Sequence, residues 1–359
     1  KTDVVFPDDW TATTQQAKVQ SSDIAAGDYF GRSVAIDGNT MVAGAYREDT
    51  GGDQAGAAYV FTRSGTTWSQ QAKIQSSDIA AGDKLGWSVA IDGDTMVVGA
   101  GYEDNTGGTD AGAAYVFIRS GTSWSQQAKL VASDAAAGDR FGVSAAIDGD
   151  TIVVAAHLED TGGSNAGAAY VFTRSGTSWS QQAKIQSSDI QAGDQFGRSV
   201  AIDGDTMVAG AYAEDTIADR AGAAYVFTRS GTSWSQQAKV QASDAEAVDL
   251  LGQSVAIDGD TMVTGAYLED TGGTSAGAAY VFTRSGTSWS QQAKLQASDK
   301  AANVEFGWSV AIEGDTMVAG AYKEDTEASD AGAAYVFTRS GTTWTQAKKL
   351  VASDAQASD

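Results

Sequence analysis

The sequence predicts an all-β fold, a β-propeller built from four-stranded antiparallel blades. The passage YFGRSVAIDGNTMVAGAY, from Tyr29 to Tyr46, returns in six slightly different copies at a spacing of about 55 residues. Its Val, Ile, Tyr, Phe and Thr residues favour strands, and the Gly and Asp clusters between them favour turns. No segment has the length and pattern of a helix. Repeated units share one continuous core, so the repeat outweighs the domain count that 359 residues would otherwise suggest.

Each unit contains four strand patterns. In the first unit FGRSVAI ends at Asp37-Gly38, a strong hairpin-turn signal, and TMVAGAY and GAAYVFTR follow. The first two strands are rich in small residues, which suits a place where backbones crowd together. The fourth strand, Trp68 to Gln75, alternates and puts polar residues, Lys73 among them, on one side, which predicts an exposed edge. A unit that is crowded at its first strand and exposed at its fourth is typical of a propeller blade.

The repeat spacing sets the predicted domain organisation, a single propeller domain over residues 1–359. The predicted parts are an N-terminal closing hairpin or strand over 1–20, repeats at about 21–75, 76–131, 132–186, 187–241, 242–296 and 297–351, and a C-terminal tail over 352–359. Phe6 stands as far before Lys18 as Phe61 stands before Lys73, so the N-terminal segment looks like a third and a fourth strand. Six complete repeats favour a six-bladed ring that this segment latches shut. Seven blades, one of them incomplete, is the alternative.

Two landmarks of the repeat, Phe30-Gly31 and Gly44-Ala45-Tyr46, resemble the FG-GAP repeat of integrin alpha-subunit propellers, where the second landmark reads Gly-Ala-Pro. The resemblance covers all six units and implies a seven-bladed propeller, whereas counting complete units gives six. Many family members carry a calcium cage between the first two strands. Here that loop is only IDGDT, too short to surround an ion with six or more oxygens, so this type of calcium site is not expected.

Composition narrows the possible partners. The formal charge is −23, which disfavours nucleic acid and anionic lipid, and the chain has no cysteine, which excludes disulfides and zinc–thiolate sites. The longest apolar runs are far shorter than the roughly 18 residues of a membrane span, so no membrane insertion is expected. We expect an extracellular or cell-surface, secreted protein whose signal peptide is not in this chain.

The copies differ mainly at one end of the predicted blades. The turns IDGDT and TRSGTS, at the other end, are nearly invariant. Three positions vary: just before the Phe-Gly landmark, two residues after its phenylalanine, and just before the Glu-Asp pair. Either these loops drift because nothing constrains them, or each blade offers a different contact to a partner.

The second interpretation selects candidate binding residues on this variable rim. They are Trp87, Trp308, Arg32, Arg198, Tyr29, Arg140, Arg47 and Tyr102. Tryptophan is enriched in binding hot spots, and Trp87 and Trp308 stand three units apart, hence opposite each other in a six-bladed ring. The alternative is that both tryptophans only pack between blades. The predicted partner is a protein or a glycan ligand.

The same end is rich in carboxylates. Some of them, such as Asp28 beside a glycine turn, are expected to cap their own backbone. The Glu-Asp pairs occur in all six copies and are candidate ligands for a divalent cation such as Ca²⁺. The pairs are Glu48 and Asp49, Glu103 and Asp104, Glu159 and Asp160, Glu214 and Asp215, Glu269 and Asp270, and Glu324 and Asp325. A face that attracts a cationic partner and a merely solvated acidic face are the alternatives.

The sequence favours a protein that is not an enzyme. Its one histidine, His157, replaces a tyrosine of other copies, and neither a nucleophile elbow nor a phosphate-binding loop occurs. We therefore expect a binding or adhesion module that uses the acidic variable rim. Two alternatives are a structural subunit that self-associates into an extracellular array or filament, and a carbohydrate-active propeller.

Overall fold

A computed structural model describes residues 15–357. Within them the prediction of an all-β fold is confirmed: 24 strands form six four-stranded sheets, here called blades 1 to 6. The predicted closing hairpin lies outside the described residues except for its last part, from Gln15 on. In the described part of the chain, no helix is long and apolar enough to span a bilayer. The chain divides into two compact units, and the division between residues 186 and 187 is a predicted repeat boundary.

Unit 1 contains blades 1 to 3. Blade 1 consists of β1 (Phe30–Asp37), β2 (Thr40–Ala45), β3 (Ala57–Ser64) and β4 (Thr67–Ile74). Blade 2 consists of β5 (Ser88–Asp92), β6 (Thr95–Ala100), β7 (Ala113–Ser120) and β8 (Ser123–Leu130). Blade 3 consists of β9 (Ser144–Asp148), β10 (Thr151–Ala156), β11 (Ala168–Ser175) and β12 (Ser178–Ile185).

Unit 2 contains blades 4 to 6, together with Gln15. Blade 4 consists of β13 (Phe196–Asp203), β14 (Thr206–Ala211), β15 (Ala223–Ser230) and β16 (Ser233–Val240). Blade 5 consists of β17 (Ser254–Asp258), β18 (Thr261–Ala266), β19 (Ala278–Ser285) and β20 (Ser288–Leu295). Blade 6 consists of β21 (Phe306–Glu313), β22 (Thr316–Ala321), β23 (Ala333–Ser340) and β24 (Thr343–Leu350).

In every blade the strands pair in chain order, all antiparallel. One feature of the fourth strand differs from the prediction. The register between β3 and β4 shifts after Val60, where Gln71 is an extra residue between the partners Ala72 and Gln70. This bulge breaks the expected alternation of the strand. Lys73 is therefore not on an exposed polar side; its ammonium contacts the buried Glu48.

The core lies between adjacent blades. In unit 1 the valines Val42 and Val60 of blade 1 pack in one cluster with Val89, Met96 and other residues of blade 2. Blades 2 and 3 share a second cluster, and in unit 2 blades 4 and 5, and blades 5 and 6, share two more. Each of these four clusters combines residues of two adjacent blades, which is the property that makes repeat units depend on their neighbours.

The invariant turns bind neighbouring blades together. The Asp37 carboxylate of blade 1 accepts from the Gly93 N–H of blade 2 at 2.7 Å, and Arg119 of blade 2 donates to Thr40 Oγ1 of blade 1 at 2.7 Å. The same two contacts join the other adjacent blades within each unit. A change in either turn would therefore remove an interblade hydrogen bond, which explains why this end hardly varies among the copies.

Candidate functional site

The variable rim of unit 1 is built on strained backbone. Tyr29, Lys84 and Arg140, the residues just before the Phe-Gly landmark, have φ of 53°, 56° and 58°. A left-handed conformation is unusual for residues other than glycine and is held only where the surroundings fix it. For Lys84 and Arg140 the fixing contact comes from the preceding blade, as the Lys84 N–H donates to the Gln54 carbonyl at 3.2 Å and the Arg140 N–H to the Asp110 carbonyl at 3.1 Å. The side chains of these residues are thereby held on the rim.

Four aromatic rings form a continuous row on this rim. Ring centroids are 5.3 Å apart between Tyr29 and Tyr46, 4.8 Å between Tyr46 and Trp87, and 5.3 Å between Trp87 and Tyr102. These separations fall in the range of favourable aromatic pairs. Trp87 and Tyr102 are half-buried, while Tyr29 is 54% exposed. The contact between Tyr46 and Trp87 joins blade 1 to blade 2; whether Trp87 also binds a partner stays a prediction.

Four cationic side chains cover these rings. Arg47 lies 4.7 Å from the Tyr29 centroid, and Arg32 lies 5.5 Å from that of Trp87. Lys84 and Arg140 both lie over Tyr102, at 3.6 and 4.4 Å. These are cation–π distances. We call the eight residues the aromatic–cationic ladder: Tyr29, Tyr46, Trp87, Tyr102, Arg32, Arg47, Lys84 and Arg140.

The ladder is a local concentration of positive charge on a strongly acidic chain. Burial, together with the nearby Arg47 and Arg140, lowers the pKa of Lys84 below its usual value. Among residues 15–357, none of the four cations forms an ion pair, and the buried Nε of Arg47 has no hydrogen-bond partner. The ladder unites six of the eight predicted binding residues; the exceptions are Trp308 and Arg198.

Unit 2 has a shorter version of this arrangement. Trp308 stands between Tyr267 and Tyr322, with centroid distances of 4.8 and 4.6 Å. Its cation, Lys323, is paired with Glu305 at 2.6 Å, and so differs from the unpaired cations of unit 1. Arg198 lies 5.6 Å from the Tyr212 ring in blade 4. The predicted opposition of Trp87 and Trp308 stays a prediction.

The predicted metal ligands divide into two kinds, and the glutamates point inward. In blade 3 the buried Glu159 is 2.9 Å from Lys184 Nζ, which also contacts Asp134 at 2.6 Å and Thr161 Oγ1 at 2.8 Å. All six blades repeat the contact between the glutamate, the lysine and the linker aspartate. Sequence reasoning missed this triad because it placed the lysine on an exposed side, although the lysine recurs as regularly as the glutamate.

The aspartates of the pairs point outward and fix their own loops. The carboxylates of Asp49, Asp104 and Asp160 each accept from a backbone N–H five or six residues later, at 2.7 to 2.8 Å. Asp270 and Asp325 do the same, whereas Asp215 is simply exposed. Within the described chain no group of three or more Asp, Glu or His side chains is arranged to hold a metal ion. A lysine ammonium lies where the predicted cation would have bridged these pairs.

The capping role predicted for the Asp28 series is confirmed. Asp28 accepts from the Ala25 N–H, and Asp83 accepts from the Ala80 N–H, both at 2.8 Å. Burial raises the pKa of Asp83 to about 6, and it does the same for the equivalent aspartates Asp139, Asp194 and Asp249. These carboxylates titrate inside the fold rather than at an open surface.

Interlocking four-stranded blades with a small-residue inner strand define a β-propeller repeat protein. The model of the FG-GAP repeat matches six segments: residues 13–61, 68–117, 124–172, 179–227, 234–282 and 289–337. These segments make up more than half of the chain, which therefore belongs to the FG-GAP repeat family and is a β-propeller with six complete blades. No curated protein matches the chain. The family is generally non-enzymatic in integrins, and its fold is often used for protein binding.

Proposed function

We propose that this chain is a non-enzymatic binding module whose contact surface is the aromatic–cationic ladder of unit 1, and that the partner is a protein with an acidic segment. A location outside the cell is part of the proposal and rests on the resemblance to integrin propellers. The single observation that carries the proposal is a row of four cations without ion pairs on a chain of net charge −23. Most other lysines and arginines of the described chain are paired with aspartate or glutamate, as Arg119, Arg174 and Lys184 are.

From the sequence we expect a partner that binds the acidic variable rim. In unit 1 the ladder favours the opposite charge, because its four cations have no ion-pair partner in the described chain, whereas the inner glutamates are paired with lysines and the outer aspartates hold loop amides. The ladder cations therefore keep their capacity to pair with carboxylates. Charge complementarity would steer an acidic segment towards the ladder and fix its register.

A glycan partner is less well supported. Sugars commonly stack on open aromatic faces, but Arg32 lies over Trp87, and Lys84 and Arg140 both lie over Tyr102. Guanidinium and ammonium groups in these positions are better suited to carboxylates.

The test compares two charge-matched double variants against a labelled oligo-glutamate peptide, followed by fluorescence anisotropy. Arg32→Gln with Arg140→Gln removes two ladder cations, and glutamine already stands at the equivalent positions, Gln253 and Gln195. We expect affinity to fall at least about tenfold, and wild-type binding to weaken with salt.

The control variant, Arg220→Gln with Lys300→Gln, removes two exposed cations outside the ladder and should bind the peptide as wild type does. If both variants lose the same affinity for the peptide, the effect depends only on net charge, and the proposal is contradicted. Binding of an oligo-lysine peptide, or of a neutral oligosaccharide, in preference to oligo-glutamate would contradict the predicted partner.

A further inference from the structure

Within unit 2, one face of each blade receives the Phe-Gly turn of the next blade. Ser199 Oγ of blade 4 donates to the Gly252 carbonyl of blade 5 at 2.9 Å, and Ser254 of blade 5 donates to Gly307 of blade 6 at 3.0 Å. The approach is so close that a Cβ atom on Gly210 would lie 2.0 Å from the Gly252 carbonyl oxygen. At Gly210 and Gly265 only glycine fits in this geometry, whereas blade 3 of unit 1 has Ala155 at the equivalent position.

Blade 6 has the same face, and no further blade of unit 2 follows it among the described residues. Ser309 is exposed and has no equivalent carbonyl partner in the described chain, and a Cβ atom on Gly320 would approach only Ser309 itself. Val318 and Ala334 are partly exposed on this face, while the equivalent residues of blades 4 and 5 are fully buried. The residues that hold a following blade are all present here, and within the described chain they are less covered than their equivalents in blades 4 and 5.

Gln15, in the N-terminal segment, occupies the outer part of the place where a blade after blade 6 would lie. Ser353 N–H donates to Gln15 Oε1 at 2.9 Å, which repeats the contacts of Ser243 with Gln291 and of Ser298 with Gln346. Gln15 thus stands beside blade 6 where a following blade would place the glutamine of its fourth strand. The sequence around it predicts a third and a fourth strand, while residues 15–357 contain no first and second strand beyond those of the six blades.

From these contacts we infer that the open face of blade 6 binds a β-hairpin with the first-strand and second-strand sequence of this same repeat. The Phe-Gly turn of the hairpin accepts from Ser309 Oγ and lies against Gly320. Its first strand covers Val318 and Ala334, as β21 covers Val263 and Ala279 of blade 5. The interface is the one already present twice within unit 2, so the occupant is specified by existing contacts.

In unit 1, blade 1 exposes the opposite kind of face, the one that packs against a preceding blade elsewhere in the unit. Val34 is 64% and Ile36 is 52% exposed, whereas Val89, the equivalent of Val34 in blade 2, is 8% exposed. In blade 2 this side packs against the preceding blade, through Val42 among others. Apolar strand residues of this size are rarely left uncovered, and the missing cover is again of second-strand type.

The test lengthens the chain after Asp359 by a copy of residues 195–212, QFGRSVAIDGDTMVAGAY, since Asp359 aligns with Asp194. A scrambled extension of the same composition is the matched control. We expect the native-sequence extension to raise Tm by at least about 4 °C relative to the scrambled one. Gly320→Ala is the blocking variant, because its methyl group would meet the carbonyl of the incoming turn but meets only the rotatable Ser309 hydroxyl in the unextended chain.

Gly320→Ala should leave the Tm of the unextended chain nearly unchanged and abolish the gain from the extension. No gain over the scrambled control, or an equal gain in Gly320→Ala, would overturn the inference. Light scattering of the unextended chain tests a second copy as the occupant. If the chain associates as its concentration rises, and Gly320→Ala removes that association, the occupant is a second molecule of this chain. That result would overturn the assignment of a hairpin.

Discussion

Lys184 donates to three partners at once, which uses all the protons of its ammonium group. Two of these partners are carboxylates, and Glu159 is only 4% exposed. A buried carboxylate without its cation is costly, because neither water nor another donor replaces the lost charge. The triad therefore makes each lysine a structural residue rather than a solubilising one.

We expect Lys184→Ala to lower the free energy of unfolding by about 3 kcal/mol. Urea unfolding followed by tryptophan fluorescence measures the change. Glu159→Gln in the same chain should recover part of the loss, because the uncompensated charge is then removed. Lys300→Ala, at an exposed position, is the control and should change stability by less than about 0.5 kcal/mol. A loss no larger than that of the control would show that the triad does not stabilise blade 3.

The raised pKa of Asp83 predicts how the stability of the fold depends on pH. Burial raises its folded pKa to about 6, above the value of about 3.8 expected for the unfolded chain. Its contribution to stability is therefore complete below the unfolded pKa and is lost as pH rises through the folded one. Asp83→Asn keeps an oxygen acceptor for Ala80 N–H but does not ionise. The Tm of the variant relative to wild type should rise between about pH 4 and about pH 7. A difference that stays constant over this range would contradict the assignment.

At the scale of the element, the one inserted residue of the repeat has a structural explanation. In blade 3 the Gln186 amide donates to Glu159 at 3.1 Å, but blade 2 has Val131 at the equivalent position. The inserted Asn105 supplies the missing amide, donating to Glu103 Oε2 at 3.0 Å and to the Gly112 carbonyl at 2.8 Å. The insertion in one loop thus compensates for a substitution in the fourth strand.

Deleting Asn105 should lower the free energy of unfolding by about 1 to 3 kcal/mol, because a buried carboxylate oxygen loses its donor. Adding Val131→Gln to the deletion should restore most of the loss by rebuilding the arrangement of blade 3. Thermal unfolding of the two variants and of Val131→Gln alone measures the effect. If the combined variant is no more stable than the deletion, the two positions are not coupled.

At the scale of the whole molecule, we expect the acidic composition not to produce a strong calcium site, because no group of three or more Asp, Glu or His side chains among residues 15–357 is arranged to hold a metal ion. Six lysines occupy the positions between the inner carboxylates, and most outer aspartates are engaged with backbone amides. We expect Tm to be the same, within about 1 °C, with millimolar Ca²⁺ and with a chelator. Differential scanning calorimetry measures it, with Mg²⁺ as the control for ionic strength. A rise specific to Ca²⁺ would reveal a site that these contacts do not provide.

The sequence by itself determined the blade. Strand patterns, turn signals and the repeat spacing are local properties, and every predicted strand of the six units is present because period-two patterns and Asp-Gly turns act over a few residues. The capping aspartates were predictable for the same reason. The variable positions were also visible, since comparison of the copies needs no coordinates.

Only the tertiary structure decided what these residues do. The bulge at Gln71 turns Lys73 towards Glu48, and the left-handed residues Lys84 and Arg140 bring their cations over one tyrosine. Both outcomes depend on backbone geometry that neighbouring blades impose, and no short stretch of sequence encodes it. The charge count predicts an acidic rim, whereas the structure pairs the inner glutamates with lysines and leaves the cations of the ladder without an ion pair among the described residues. A composition sums charges, but an interaction depends on which charges touch.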